Sequence, residues 1–118
     1  MLNRNIKISA DINNNDWGCR VLIYGFFDSI ENMWKSGYAK MLGVEFENCG
    51  QYNSTEAGLK IHNVRNDNNG IVTIINKSVF RNCLGMCFFT KESSNLQISN
   101  NLFFNGLKYL VFVESMQN

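Results

Sequence analysis

The sequence predicts an all-β chain wound as a right-handed, single-stranded parallel β-helix (a solenoid) of about three to four coils. Three observations predict it. A short phrase recurs as Val44-Glu45-Phe46-Glu47-Asn48-Cys49, Ser78-Val79-Phe80-Arg81-Asn82-Cys83 and Asn101-Leu102-Phe103-Phe104-Asn105-Gly106, offset by 34 and then 23 positions. Self-similarity over 20 to 50 residues marks repeats that stack because none buries its apolar face alone. Three short alternating segments fall in each interval, the number that one coil of such a helix requires. The chain also has no proline and abundant asparagine. Asn tolerates the left-handed backbone and its amide bonds neighbouring main-chain groups, so it suits repeated corners; biased composition is the competing explanation.

The elements follow in order. Arg4–Ile8 alternates and reads as a strand, and a polar loop follows at 11–16. Arg20–Tyr24 is the next strand; residues of about 25–37 read as an insertion loop, with room for one helical turn. Tyr38–Leu42 resumes the sheet and runs into the first repeat phrase. An exposed loop is expected at about 50–57, then the strand Gly58–His62 and a turn at 65–70, rich in Asn, Asp and Gly. Ile71–Ile75, Met86–Phe89, Asn95–Ile98 and Tyr109–Val113 complete the set around the second and third phrases. The expected interior columns are Phe46/Phe80/Phe103, Ile61/Phe88 and Ile75/Ile98. All of 1–118 is one domain, and strands close to both ends without a capping helix point to a fragment of a longer β-helix. Uncapped coils of this kind invite end-to-end association.

Charge narrows the function. A formal charge of +1, with 11 Lys and Arg against 10 Asp and Glu, offers no basic excess for counterion-driven binding, so no nucleic-acid partner is expected. No apolar run approaches the roughly 20 residues of a transmembrane helix, and the first residues lack the apolar core of a signal peptide. No nucleotide or phosphate-binding motif occurs, and no cofactor is expected.

The phrases Leu2-Asn3-Arg4-Asn5-Ile6-Lys7-Ile8, Trp17-Gly18-Cys19-Arg20-Val21-Leu22 and Gly43-Val44-Glu45-Phe46-Glu47-Asn48-Cys49-Gly50-Gln51 stand in an order that resembles the fibrocystin group. That group comprises fibrocystin, fibrocystin-L and the cell-migration-inducing hyaluronidases. The resemblance covers nearly the whole chain and implies a pectin-lyase-like parallel β-helix. It also implies an extracellular location, in a secreted protein or the ectodomain of a membrane-anchored one.

The candidate chemistry is sparse. His62 is the only histidine. The hyaluronidase-like relatives carry a strand resembling "P-I-H-F-H" there, whereas this chain reads Gly58-Leu59-Lys60-Ile61-His62, with Lys60 at the first histidine position. Lys60 and His62 share a face by strand alternation and are the only catalytic candidates; a surface histidine is the favoured reading. Glu45 and Glu47 also share a face, but no paired-carboxylate phrase accompanies them, so they read as solvated charges. Asp67 sits among asparagines without calcium-loop spacing, and no metal site is expected. Asn53 and Asn76 open N-glycosylation tripeptides. Cys49 and Cys83 hold the same place in the phrase; adjacent strands lie about 4.8 Å apart, within disulfide reach, so they are the disulfide candidate, with buried thiols as the alternative. Trp17, Trp34, Tyr38 and Tyr52 read as loop anchors rather than sugar platforms.

The function expected from these readings is a non-enzymatic extracellular module of a fibrocystin-like protein, a structural segment or a recognition surface for glycans or surface proteins. The alternative is a fragment of a polysaccharide-processing, hyaluronidase-like enzyme, a glycan hydrolase or lyase.

Overall fold

The computed structural model describes residues 6–10, 18–52, 54, 56–65, 71–94, 96–104 and 111–114. They hold the strands β1 (Ile6–Ser9), β2 (Val21–Asp28), β3 (Met33–Ser36), β4 (Lys40–Leu42), β5 (Val44–Glu47), β6 (Leu59–His62), β7 (Thr73–Asn76), β8 (Val79–Arg81), β9 (Phe88–Lys91), β10 (Leu96–Ser99), β11 (Leu102–Phe104) and β12 (Val111–Glu114). The strands lie in three sheets, ordered β1-β5-β8-β11, β10-β7-β4 and β12-β9-β6-β2-β3.

This arrangement corrects the expected fold. In place of one uniform, single-stranded parallel β-helix, the chain forms three separate sheets of four, three and five strands. The five-stranded sheet is mixed, because β3 returns antiparallel on β2, pairing Gly25 with Ser36 and Asp28 with Met33. The segment expected to be an insertion loop at 25–37 is therefore largely sheet. Residues 21–24 of β2 pair with β6, while 25–28 run past that pairing and are free to take β3 as a partner. The Asp28 carboxylate accepts from the Ile30 and Glu31 N–H groups at 2.9 and 3.3 Å, which closes the hairpin turn. Among the described residues of the expected exposed loop at about 50–57, Tyr52 is exposed as expected, whereas the Gln51 N–H donates to the Glu56 carbonyl at 2.8 Å and Ala57 is buried.

The repeat offsets are the pairing registers of the sheets. Phe46 lies opposite Phe80, and Phe80 opposite Phe103. Their rings stack at 4.5 and 4.8 Å between centroids, and Phe46 and Phe80 are fully buried. Phe88 meets Phe80 and Phe103 edge-on from the five-stranded sheet, which ties two sheets through one aromatic cluster. Ile75 pairs with Ile98, as the alternation implied, and the structure adds Met41 on its other side. The Ile61/Phe88 column is displaced by one inward position. Phe88 lies opposite Leu59, and Ile61 lies between Ile23 and Thr90. Two inward residues occur per strand, and alternation alone does not say which of the two meets which.

Strand ends carry the asparagine. Positive φ values occur at Asn48 and Asn82 after β5 and β8, at Asn63 after β6, and at Asn100 after β10; Asn32 adopts the same conformation in the hairpin turn. This left-handed region costs most side chains about 1–2 kcal/mol, and Asn is among the residues that tolerate it best; Lys77 after β7 and Glu92 after β9 adopt it as well. Hydroxyls complete the corners. The buried Ser78 hydroxyl donates to the Asn76 carbonyl at 3.2 Å and accepts from the Val44 N–H at 3.2 Å. Ser93 does the same between Lys91 and Val64 at 3.0 and 3.1 Å. Asn101 fills the same role on the next strand along, accepting from the Ser78 N–H at 2.8 Å and donating to the Ile75 carbonyl at 2.9 Å.

The cysteine pairing also corrects the sequence reading. Cys49 is bonded to Cys19, with Cα atoms 4.2 Å apart, and Cys83 to Cys87, with Cα atoms 5.4 Å apart. Cys49 does not pair with Cys83, although both occupy the same place in the phrase. Cys49 has a parallel neighbour on each side, and the one on the Cys19 side takes the bond. Cys19 lies outside the repeated phrase, so the phrase held no sign of it.

The Phe80→Ala variant should lose about 3–5 kcal/mol of stability in urea unfolding, because it opens a cavity between two stacked rings. Asn48→Ala should lose about 1–2 kcal/mol by placing a plain L side chain at positive φ, and Asn48→Gly should recover most of that loss.

Candidate functional site

The outer face of the five-stranded sheet gathers exposed aromatic side chains and the chain's only histidine. β2 alternates so that Ile23 is buried while Leu22, Tyr24 and Phe26 face outward, 47, 49 and 46% exposed. Because β2 is apolar on both faces, burying one leaves an apolar row on the other. The Tyr24 and Phe26 rings lie nearly parallel, 16° apart, with centroids at 6.2 Å.

Register places the polar groups beside this row. Leu22 lies opposite Lys60 and Tyr24 opposite His62; Lys60 lies opposite Phe89 and His62 opposite Lys91. The sequence expectation that Lys60 and His62 share a face therefore matches the observed strand, in which both are half-buried and Leu59 and Ile61 point inward. The His62 ring meets Tyr24 edge-on at 6.3 Å. The Lys60 ammonium lies 5.3 Å from the centre of the Phe89 ring and 3.1 Å from the Glu56 carboxylate, which also pairs with Arg20. Burial, and then the positive charges of Arg20 and Lys91, hold the Lys60 amine below the ordinary lysine range despite its pairing with Glu56. The Arg20, Lys60 and Lys91 charges thus crowd one side of the aromatic row, with Glu56 between two of them.

The hairpin is pinned on the opposite side of β2, the side of Ile23 and Gly25. The Trp34 indole N–H donates to the Asn63 carbonyl at 3.1 Å, and the Arg65 guanidinium lies 4.4 Å from the centre of the Trp34 ring. Gly25 makes this possible, since a Cβ there would sit 2.9 Å from the Trp34 indole nitrogen and against the Asn63 backbone. Lys35 pairs with Asp28 at 2.9 Å and with Glu31 at 3.0 Å. The hydrogen bond from Lys35 is the main reason that Asp28 ionises more readily than a free carboxyl.

The remaining candidates lie elsewhere. Glu45 and Glu47 share the outer face of the four-stranded sheet as expected, but they are ion-paired. Arg81 reaches Glu45 at 2.6 Å and Glu47 at 2.7 Å, and Lys7 meets Glu47 at 3.1 Å. Asn76 ends β7 with its carboxamide oxygen buried, and the Ser78 hydroxyl of the same tripeptide is buried and bonded; the folded chain offers that tripeptide poorly to a glycosyltransferase. Asn53, Asp67 and Trp17 lie outside the described residues. Trp34 is the anchor expected, whereas Tyr38 and Tyr52 are more than half exposed. Among the described residues, no group of three or more His, Cys, Asp and Glu side chains converges to hold a metal. No helix among them is long and apolar enough to cross a membrane. The row Leu22/Tyr24/Phe26 was not singled out from the sequence, although the uninterrupted apolar run of β2 was its signal.

Comparison with protein-family models, with curated proteins and with solved structures finds no match to this chain.

Gly25→Ala should cost about 1–3 kcal/mol through overpacking and release Trp34 from Asn63. The expected readouts are a red-shifted tryptophan emission and a lower urea midpoint; an unchanged spectrum and midpoint would mean that the hairpin is not held by this contact.

Proposed function

We propose that this chain is an extracellular recognition module without enzymatic activity, as its resemblance to the fibrocystin group implies, and that it presents the outer face of the five-stranded sheet to a glycan. The observation that carries the reading is the row Leu22, Tyr24 and Phe26, about half exposed along one strand, with Lys60 and His62 alongside it. Flat rings with accessible faces stack on the apolar face of a sugar ring, while neighbouring polar groups bond its hydroxyls. The bridges Cys19–Cys49 and Cys83–Cys87 support a location outside the reducing cytosol.

A polysaccharide-processing fragment is the second reading, favoured by the neighbouring Lys60, His62 and Glu56 side chains. Its weak point is that Glu56 is committed to ion pairs with Lys60 and Arg20. The two readings separate in one experiment, a glycan array followed by a depolymerisation assay on the folded chain. Recognition predicts binding without cleavage, weakened at least tenfold (about 1.4 kcal/mol) in Tyr24→Ala/Phe26→Ala. Cleavage lost in Lys60→Ala/His62→Ala would place an active site on β6 and overturn the proposal. Binding unaffected by Tyr24→Ala/Phe26→Ala would remove this face from it.

A further inference from the structure

All four cysteines of the chain meet in one place, and their order there is informative. Cys49 lies between the other three. On one side it is the parallel partner of Cys19: the Gly50 N–H donates to the Cys19 carbonyl at 2.7 Å and the Cys19 N–H to the Asn48 carbonyl at 3.3 Å. On the other side the Leu84 N–H donates to the Cys49 carbonyl at 2.9 Å, and the Asn48 N–H donates to the Arg81 carbonyl at 3.3 Å. These bonds continue the β5–β8 register, in which Glu47 lies opposite Arg81, and bring Cys83 opposite Cys49. Strand neighbours in register are about 4.8 Å apart, a spacing that a disulfide spans.

Cys87 closes the group. The Leu59 N–H donates to the Cys87 carbonyl at 3.0 Å, and a Cβ on Gly58 would lie 2.9 Å from the Cys49 Cβ and 3.1 Å from the Cys87 carbonyl oxygen. Only the bare α-carbon of Gly58 therefore separates Cys49 from that strand. Exposure differs along the series. Cys49, Cys83 and Cys87 are at most 1% exposed, whereas Cys19 is half-buried. Of the four, Cys19 is the least buried and so the first that an external thiol meets, and the other three lie further inward.

We propose that the two disulfides form an exchange relay in which Cys19 is the S-thiolation site and Cys49 passes the exchange inward to the Cys83–Cys87 bridge. An external low-molecular-mass thiol supplies the first sulfur. Its thiolate attacks the Cys19 Sγ, the Cys19–Cys49 bond breaks, and the electron pair leaves on Cys49 as thiolate. Cys49 then attacks the Cys83 Sγ, and the Cys83–Cys87 bond breaks with its electron pair leaving on Cys87, which takes up the proton lost by the incoming thiol. One thiol is consumed and one is produced, so no oxidant is needed. The products are a mixed disulfide on Cys19, a Cys49–Cys83 bond and a Cys87 thiol. The second step is intramolecular between neighbours in register, which gives it a high effective concentration.

The test uses the folded, fully oxidised chain and substoichiometric reduced glutathione, with free thiols trapped by N-ethylmaleimide in acid and the bridges mapped by peptide mass spectrometry. The relay predicts glutathione on Cys19, the label on Cys87, and a cross-link joining the peptide of Cys49 to that of Cys83. A second arm uses Cys19→Ser, which leaves Cys49 as a thiol beside the inner bridge. There the label should divide between Cys49 and Cys87, with a clearly measurable share on each. Glutathione on Cys19 with the label on Cys49 and an intact Cys83–Cys87 bridge would overturn the relay. So would reduction confined to Cys83–Cys87, or a cross-link that forms only in urea.

Discussion

The column Phe46–Phe80–Phe103 is the interaction from which the rest of the arrangement follows. Parallel strands can slide on one another at little cost in backbone hydrogen bonding, so side chains must choose the register. Three near-parallel stacked rings, with centroids 4.5 and 4.8 Å apart and Phe88 edge-on to two of them, set that register in the four-stranded sheet and transmit it to the five-stranded one. Slippage by one residue would turn this column outward and bring Glu45, Glu47 and Arg81 inside without water. The same register that buries the rings pairs these charges on the opposite face.

Stacking of this kind also demands that the chain leave each strand sharply and satisfy the main-chain groups it exposes on the way. A residue at positive φ makes the exit, asparagine after β5, β6, β8 and β10 and Lys77 and Glu92 after β7 and β9, and Ser78, Ser93 and Asn101 supply the missing bonds from inside. A corner built from short polar side chains occupies little volume, so successive strands remain at sheet spacing. The hairpin departs from this plan. It adds an antiparallel strand along β2 and is held by Trp34, Asn63 and Arg65 rather than by a stacked column. An antiparallel strand there pairs backbone groups of β2 that would otherwise form an open sheet edge.

The candidate face and the cysteine group both arise from this scaffold. β2 is apolar on both sides because one side meets the core and the other carries Leu22, Tyr24 and Phe26. Parallel registry then sets Lys60 and His62 against that row, so a candidate recognition surface is assembled from strands far apart in sequence. Cys19, Cys49 and Cys83 converge for the same reason. Each follows or precedes a strand whose place is fixed by the core, and the bridge Cys19–Cys49 staples the segment leading into β2 to the corner after β5.

Most strand positions (β3 and the second half of β2 excepted), the Phe46/Phe80/Phe103 and Ile75/Ile98 columns and the shared face of Lys60 and His62 were legible in the sequence by itself, because period-two alternation and a repeated phrase are local signals. So was the use of asparagine at corners, which reflects the intrinsic tolerance of one residue type for one backbone region. Three matters were decided only by the tertiary structure. The separation into three sheets with a mixed, five-stranded member depended on residues 25–28 finding β3 as a partner. The partner of Cys49 depended on which of its two neighbouring segments carried the bonded sulfur. The exposure of Leu22, Tyr24 and Phe26 depended on which apolar face of β2 met the core. Each is a choice between alternatives equivalent along the chain, and only packing in three dimensions distinguishes them.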